Sequence, residues 1–489
     1  MNVWDLIVVL MIMAVAGGML LARRKQQLDI ALFGALALVI ALHGIIDSFR
    51  LQMVPAYAAA LFLLIGLFLR LLNPSGNLSA RNSSRPMAVW RKSLLALVVL
   101  ALNSSSVFLS MLLPVFTMPE PSGSYGIGTI ARHLTDESRD ETHSEKPNEK
   151  RELMINVWYP VDKDQTKQTS MEHYPLEIGE AISLVFGIPK HIFSYVTQIP
   201  THVVEGAALS AAEASYPIVL FSPGIRSTRF QSMTAIEELV SQGYIVVGID
   251  HPYTSAKIEF PDGRSVLYEA EPEFQTPAEL YNHNIKEVAI RAADASFVLD
   301  SLTVWNEKDP EQRFDGRLDL SRVGIFGHSY GGATTAETLA QDSRFKAGVS
   351  LEGGFWGDVA LNGLTQPFMY MMTGDTAKSL DPANKKKVYV FFEEFADDLN
   401  SVMTKSTNDT YYMTVEPFIH QSFTDIALLS PKLFAKGVDP EHTVDITRSY
   451  VTAFFNQYLK NEPQQPLLAG PSPRYPEVIF DDTYTKKQQ

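Results

Sequence analysis

The stretch Arg322–Gly332 reads RVGIFGHSYGG and combines an apolar strand, a sharp turn and the first residues of a helix. Its centre, GHSYG over residues 327–331, matches the G-x-S-x-G pattern. Small residues on both sides of Ser329 allow the strained turn that raises a serine above the end of a strand. The stretch therefore predicts Ser329 as a nucleophile; the alternative is a serine that only caps the helix.

Strands and helices alternate on either side of this turn. Continuous apolar runs predict strands at 216–221, 244–249, 322–326, 347–351, 367–372 and 411–415. Amphipathic spacing predicts helices at 230–242, 285–302, 331–341 and 444–459. Strands that are apolar on both faces and alternate with helices indicate an α/β fold with a mostly parallel, helix-covered sheet.

Two segments interrupt this alternation. Residues 172–214 form an apolar, loosely helical insertion, which is either a lid over a site or simply part of the packing. Residues 136–152 are dense in charge and predict a solvated loop with no chemistry.

A serine hydroxyl needs a base to become a nucleophile near neutral pH, and with this motif the base comes late in the chain. Only His420 and His442 follow Ser329. His442 stands at the start of a helix, where a solvated cap is the ordinary role, whereas His420 follows a predicted strand. We therefore predict His420 as the base. His328 adjoins Ser329, and its side chain should point away from the hydroxyl.

The acid has two candidates, because Glu352 and Asp375 each follow a predicted strand. Either could orient the imidazole, and either could instead be a simple turn residue. The oxyanion hole should use the amide of Tyr330, which follows the nucleophile, and the amide of Ile225 in the loop after the first central strand. No metal ion and no organic cofactor is needed for this chemistry.

Composition narrows the function classes further. The chain has 489 residues, no cysteine and a formal net charge of −14. Without cysteine there is no disulfide scaffold, zinc ribbon, iron–sulfur site or thiol nucleophile. The acidic balance argues against a nucleic-acid partner, which requires a basic face. The charge is uneven, since residues 1–118 carry 9 Lys/Arg and 3 Asp/Glu, a net of +6, and the remainder carries −20.

Four apolar runs lie in that basic front part, at 4–22, 30–46, 53–72 and 93–118. Each approaches the length needed to cross a hydrocarbon core of about 30 Å. The first run could be a cleaved signal peptide, but it has Asp5 at its start instead of basic residues, basic residues follow it and three more runs come after. Four transmembrane helices are therefore predicted, with His43 and Asn103 making hydrogen bonds inside the bundle.

Basic residues flank these runs unevenly. They follow the first run and separate the third from the fourth: Arg23, Arg24, Lys25, Arg81, Arg85, Arg91 and Lys92. The positive-inside rule places both of these loops in the cytoplasm. The prediction is a multi-pass protein of a bacterial cell membrane, consistent with the lack of cysteine, with residues 119–489 outside the cytoplasm.

Residues 119–489 resemble a known family, the group VII platelet-activating factor acetylhydrolases and their bacterial lipase-like relatives, which have the α/β-hydrolase fold. The matching stretches are GSYGIGTIARHLTDESRDE, RELMINVWYP, IVLFSPG, GYIVVGIDHPYTSA, IRAADASFVLDSL, GHSYGG and IHQSFTDI. The resemblance covers nearly the whole of this part. Residues 1–118 have no counterpart in the family.

The resemblance implies a role for each matching position. It places the nucleophile on Ser329, the histidine on His420, the oxyanion amides on Ile225 and Tyr330, and the acid on Glu352, where the family's animal enzymes have aspartate. It also implies calcium-independent hydrolysis of short or oxidised acyl esters, including phospholipids. The predicted membrane helices would place this site next to membrane lipids. The alternatives are an acyltransferase acting on the cell envelope and a membrane sensor without catalytic activity.

Overall fold

The computed structural model describes residues 2–21, 25–72, 85–166, 170–380, 394–435, 437–462 and 465–487. The chain divides into two compact units, Met1–Phe116 and Thr117–Gln489. Three of the basic residues used for the orientation, Arg23, Arg24 and Arg81, lie outside the described residues.

The first unit is helical. Its elements are α1 (Val3–Leu21), α2 (Gln26–Ile46), a 3₁₀ turn (Leu51–Met53), α3 (Val54–Leu72) and α4 (Arg85–Leu112). Four segments are long and apolar enough to cross a membrane: Val3–Leu21, Gln26–Ile46, Leu51–Leu72 and Trp90–Leu112. The fourth helix ends at Leu112, six residues before the predicted limit, because Pro114 disfavours helical backbone at the residue before it.

His43 and Asn103 each make a hydrogen bond inside this unit, as predicted. His43 is fully buried, and its Nε2 lies 3.2 Å from Asp5 Oδ1, which joins α2 to α1. Arg50 donates from Nη1 to Asp5 Oδ2 at 3.0 Å. Asn103 donates to Val99 O at 3.0 Å within its own helix. The charged groups thus neutralise one another, which lowers the cost of burying them.

The second unit is built on a mixed sheet. Its strands are β1 (Gly126–Asp140), β2 (Lys150–Val161), β3 (Val203–Glu205), β4 (Tyr216–Ser222), β5 (Ile245–Asp250), β6 (Lys257–Glu259), β7 (Ser265–Leu267), β8 (Leu318–His328), β9 (Phe345–Leu351), β10 (Phe368–Thr373), β11 (Thr410–Val415) and β12 (Val478–Phe480). Ten of them pair in the order β12-β11-β10-β9-β8-β4-β5-β2-β1-β3, and β6 and β7 form a separate hairpin. The run from β11 to β5 is parallel, whereas β2 and β12 are antiparallel to their neighbours β5 and β11.

Helices accompany these strands. They are α5 (Lys163–Thr166), α6 (Glu177–Phe186), α7 (Met233–Ser241), α8 (Pro277–Lys308), α9 (Tyr330–Gln341), α10 (Asp358–Asn362), α11 (Gly374–Leu380), α12 (Phe395–Lys405), α13 (Ile426–Leu429), α14 (Pro431–Phe434), α15 (Pro440–Leu459) and α16 (Pro466–Ala469), with 3₁₀ turns at Lys190–Gln198 and His420–Phe423. Helix α8 starts eight residues before the predicted helix, because Thr276 caps it and Pro277 occupies its first position.

The charged run at 136–152 is a loop only over residues 141–149, which corrects the prediction of a solvated loop over the whole run. Strand β1 continues to Asp140 and β2 begins at Lys150, and Asp136 and Arg151 are buried. Arg151 donates to both oxygens of Asp294 on α8, at 3.1 and 2.7 Å. Arg151 is therefore removed from solvent by a partner 143 residues away in sequence, and its burial is tolerated because it is paired.

The insertion at 172–214 is tied to the chain that follows His420. Tyr174 is buried and donates its hydroxyl proton to Asp425 Oδ2 at 2.8 Å. Tyr195 is also buried and donates to Leu429 O at 3.0 Å. These two hydroxyl anchors fix the insertion against the segment 425–429 and favour the packing role for it.

Candidate active site

Ser329 lies between the end of β8 and the start of α9. Its backbone has φ of 56° and ψ of −121°, a conformation that residues with a Cβ rarely adopt. The flanking glycines make this turn possible. A Cβ on Gly327 would lie 2.1 Å from Gly331 O, and one on Gly331 would lie 1.9 Å from Ser222 O. The G-x-S-x-G pattern therefore follows from the close approach of three backbone segments.

His420 and Glu352 meet although 68 residues separate them. His420 opens a 3₁₀ turn after β11, Glu352 directly follows β9, and the His420 Nδ1–Glu352 Oε2 distance is 2.8 Å. The other oxygen of Glu352 accepts from the Thr373 amide at 3.1 Å and from the Thr373 hydroxyl at 2.6 Å. Asp375, the alternative acid, lies in the first turn of α11.

The carboxylate of Glu352 is held in its charged form. Burial alone would raise the pKa of Glu352, but the hydrogen bonds from His420 and Thr373 outweigh that effect and hold this pKa below its usual range. The backbone of Glu352 has φ of 55°, another unfavourable conformation for a residue with a Cβ. Strain at both Ser329 and Glu352 marks this edge of the sheet as a functional region.

His328 is a residue to which the sequence assigned no role. The Gly224 amide donates to Gln231 Oε1 at 2.9 Å, Gln231 Nε2 donates to His328 Nδ1 at 3.1 Å, and His328 Nε2 donates to His420 O at 2.8 Å. Burial, together with the charge of His420, lowers the pKa of His328 to about 3, so the ring is neutral. This series of hydrogen bonds joins the loop after β4 to the backbone of His420.

The two predicted oxyanion amides belong to Tyr330, which directly follows Ser329, and to Ile225 in the loop after β4. A Cβ placed on Gly224 would lie 3.4 Å from the Ser329 Cβ, so the loop after β4 touches the serine. In that loop Gln231 takes the Gly224 amide and Thr254 O takes the Arg226 amide at 2.8 Å, and the described residues provide no acceptor for the Ile225 amide between them. Tyr330 is the first residue of α9, where amides have no acceptor within the helix.

A cavity of about 130 Å³ is lined by Ile225 and Tyr330 but not by Ser329 or His420. Ile225 and Tyr330 line it together with the aromatic and acidic side chains Tyr253, Tyr268, Glu269, Glu271 and Glu287. His143 lies between two of these acids, with Nδ1 2.8 Å from Glu269 and Nε2 3.2 Å from Glu287. The contact with Glu287 raises the pKa of His143 to about 9, so this wall carries one imidazolium among carboxylates.

The family model for platelet-activating factor acetylhydrolase, isoform II, matches residues 114–466. The chain belongs to this family. The resemblance found in the sequence is thereby confirmed over most of the second unit. The matched region begins after the four apolar helices of the first unit.

Individual relatives of this acetylhydrolase family agree. A probable 1-alkyl-2-acetylglycerophosphocholine esterase of Arthroderma benhamiae is 26% identical over 394 residues, which cover 75% of this chain and 94% of that protein. The platelet-activating factor acetylhydrolase of Gallus gallus is 22% identical over 333 residues, covering 61% of this chain and 75% of that protein.

A solved structure extends the comparison to the fold. A ferulic acid esterase from Streptomyces cinnamoneus aligns with a TM-score of 0.59 and 27% identity, over 75% of this chain and 99% of that one. The predicted α/β-hydrolase fold is confirmed. With these relatives, the chain is an ester-hydrolysing enzyme.

Proposed function

We propose that the protein is a membrane-anchored serine hydrolase that cleaves short or oxidised acyl esters, including those of phospholipids. The observation that carries the proposal is the 2.8 Å contact between His420 and Glu352 at the edge of the sheet where Ser329 occupies a strained turn. A paired histidine and carboxylate near a half-buried, strained serine is the arrangement needed to activate a hydroxyl.

Acylation begins when Ser329 Oγ attacks the ester carbonyl carbon and His420 Nε2 takes the hydroxyl proton. Glu352 stabilises the resulting imidazolium through Nδ1. The negative charge that develops on the carbonyl oxygen is met by the amides of Ile225 and Tyr330, which is worth several kcal/mol of barrier. When the tetrahedral intermediate collapses, the imidazolium gives its proton to the leaving alkoxide and an acyl-Ser329 ester remains.

Deacylation repeats these steps with water. His420 takes a proton from a water molecule while the water oxygen attacks the acyl carbon. The same two amides stabilise the oxyanion. Collapse breaks the bond to Ser329 Oγ, which recovers its proton from His420, and the carboxylic acid leaves. The hydrogen bond from His328 Nε2 to His420 O supports the loop that carries the base during both acylation and deacylation.

The substrate class rests on the family and on the relatives, which are named as esterases of platelet-activating factor and of 1-alkyl-2-acetylglycerophosphocholine. A hydrolysis panel from acetyl to palmitoyl esters, with phospholipids against simple esters, tests this class. Highest kcat/KM on short chains supports it, whereas highest kcat/KM on palmitoyl esters contradicts it. Mass separation of free acid from a transferred acyl group distinguishes hydrolysis from the envelope acyltransferase alternative.

The serine chemistry is tested by Ser329→Ala on a short-chain p-nitrophenyl ester. Loss of activity and of labelling by a fluorophosphonate supports the proposal, and full activity in the folded variant contradicts it.

The anchoring is tested with single cysteines, because the chain has none of its own. Lys25→Cys lies at the exposed start of the second predicted span, and Lys346→Cys lies on the exposed side of β9. A maleimide that cannot cross membranes should label Lys346→Cys on intact cells and Lys25→Cys only after permeabilisation. The reverse pattern would contradict the proposed orientation.

A further inference from the structure

We infer that Arg291, linked through Ser222 to a buried His251–Asp294 pair, is the positioning residue of the oxyanion hole. The inference deepens the proposed function and depends on it, because it concerns the amides of Ile225 and Tyr330. None of these four side chains belongs to the predicted reactive set.

From α8, Arg291 contacts the backbone just before Ile225 and the ring of Tyr330. It is 1% exposed, and its Nη2 donates to Ser222 Oγ at 3.1 Å and to the carbonyl oxygen of Pro223. Ser222 and Pro223 directly precede the loop that offers the Ile225 amide. On its other side the guanidinium carbon lies 5.3 Å from the centre of the Tyr330 ring. The buried Arg291 guanidinium therefore contacts the backbone that precedes Ile225 and the side chain of Tyr330 at the same time.

These contacts fix the direction of the peptide groups in the loop. The peptide plane between Pro223 and Gly224 is held at both ends, its oxygen by Arg291 and its N–H by Gln231 at 2.9 Å. The next carbonyl, Gly224 O, accepts from the Ser227 amide at 3.2 Å. With these groups held, the Ile225 amide has one direction left to face, and an amide that is already aimed needs no reorganisation during the reaction.

The Ser222 hydroxyl is oriented by a histidine. Burial, and then the charge of Arg291, lowers the pKa of His251 to about 3, so its ring is neutral. Its Nδ1 donates to Asp294 Oδ2 at 2.9 Å, which leaves Nε2 to accept the Ser222 hydroxyl proton at 3.0 Å. The lone pairs of Ser222 Oγ then face Arg291. The Ser222 hydroxyl thus donates to His251 and accepts from Arg291.

Asp294 fixes the far end of this relay. It accepts from Arg151 at 3.1 and 2.7 Å and from Arg139 at 2.8 Å, besides His251. These partners hold the pKa of Asp294 well below its usual range although burial alone would raise it. The relay is thus anchored on the β1–β2 hairpin. Ser222, His251 and Asp294 are each 0% exposed, so no ester reaches them and their role is to position.

The test compares Arg291→Met and Ser222→Ala with a matched control, Arg313→Met. Arg313 also donates to a backbone carbonyl, that of Ala207, and lies 5.1 Å from the centre of a tyrosine ring, that of Tyr159. The full chain is assayed on a short-chain p-nitrophenyl ester. The inhibition constant of a trifluoromethyl ketone, whose serine adduct places an oxyanion in the hole, is measured in parallel.

We expect kcat to fall about 10- to 100-fold in Arg291→Met and about tenfold in Ser222→Ala, with KM within about twofold. The inhibition constant should rise by the same factors as kcat falls. Arg313→Met should keep kcat and inhibition unchanged. Ser222→Ala is nearly isosteric, so it carries the test if Arg291→Met does not fold.

Unchanged kcat in folded Ser222→Ala, or a fall in kcat without weaker ketone binding, would overturn the inference. Failure of the proposed function has a different signature, since Ser329→Ala would then remain active whatever the other variants do.

Discussion

The second unit holds two sets of serine, histidine and carboxylate, and each contains a close histidine–carboxylate pair. In one, His420 meets Glu352 at 2.8 Å beside Ser329, and the His420 side chain keeps 17% of its surface exposed. In the other, His251 meets Asp294 at 2.9 Å and Ser222 at 3.0 Å, and all three are fully buried. The comparison teaches that residue types alone do not make a nucleophile; access and the surrounding charges decide it.

Electrostatics separates the two sets as clearly as exposure does. In the buried set the pKa of His251 is about 3, because burial and the Arg291 guanidinium both oppose an imidazolium. A base of that kind does not remove a proton from Ser222 at neutral pH. Beside His420 the corresponding carboxylate, Glu352, stays charged and is bonded on its other oxygen by Thr373, so it can stabilise an imidazolium when one forms.

The largest expected effect comes from exchanging the two serines for alanine. Ser329→Ala should lower kcat by about 10⁴-fold or more, because it removes the proposed nucleophile, whereas Ser222→Ala should lower it only about tenfold. A steady-state assay with fluorophosphonate labelling measures both. Equal losses in the two folded variants, or labelling that survives in Ser329→Ala, would erase the proposed distinction between the sets.

Substitution of the two carboxylates, Glu352 and Asp294, should affect different properties: turnover for the first and stability for the second. Glu352→Gln should lower kcat by about 10³- to 10⁴-fold with little change in the unfolding transition, because the imidazolium loses its partner. Asp294→Asn should lower the free energy of unfolding by about 3–5 kcal/mol, because Arg139 and Arg151 keep buried charges without a full partner.

Denaturant titration and the ester assay distinguish these outcomes. If Asp294→Asn were as stable as the parent chain, the buried set would not be the anchored structure described above.

A smaller effect is the pH dependence of stability that arises from two histidines, because the pKa of one is lowered and the pKa of the other is raised. The folded pKa of His251 lies below its unfolded value, so its burial costs stability as pH falls from about 6.5 towards 3. The folded pKa of His143 is about 9, so its pairing with Glu287 and Glu269 contributes fully below about pH 6.5 and is lost as pH rises through 9.

Unfolding curves of His143→Gln and His251→Gln across pH check this. Relative to each variant, the parent chain should lose stability on the alkaline side through His143 and on the acid side through His251. A parent and His143→Gln difference that did not change between pH 6.5 and 9 would show that His143 is not held as an imidazolium.

The sequence predicted the strand-to-helix turn and the parallel core well, since both are set by local pattern: glycines around Ser329 and unbroken apolar strands. His420 could be predicted because only two histidines follow Ser329 in the sequence. Glu352 and Asp375 could not be separated from the residues, because each follows a strand; the structure places Glu352 against His420, and its role as the acid stays a prediction.

The buried set escaped the sequence analysis for a physical reason. Ser222, His251 and Asp294 come from the ends of β4 and β5 and from the middle of α8, and they meet only when the sheet and helix have assembled. No spacing marks such a meeting in advance. The charged run at 136–152 misled for the same reason, since its partner Asp294 lies 143 residues from Arg151.

The anchoring of Asp294 on Arg139 and Arg151 has a consequence for how this enzyme could change. The β1–β2 hairpin carries neither a reacting group nor an oxyanion amide, yet it holds one end of the relay that aims those amides. Random mutagenesis with selection for faster turnover should therefore recover substitutions in this hairpin as well as around the cavity. Such changes would adjust turnover while substrate preference stayed the same, so rate and selectivity could evolve separately.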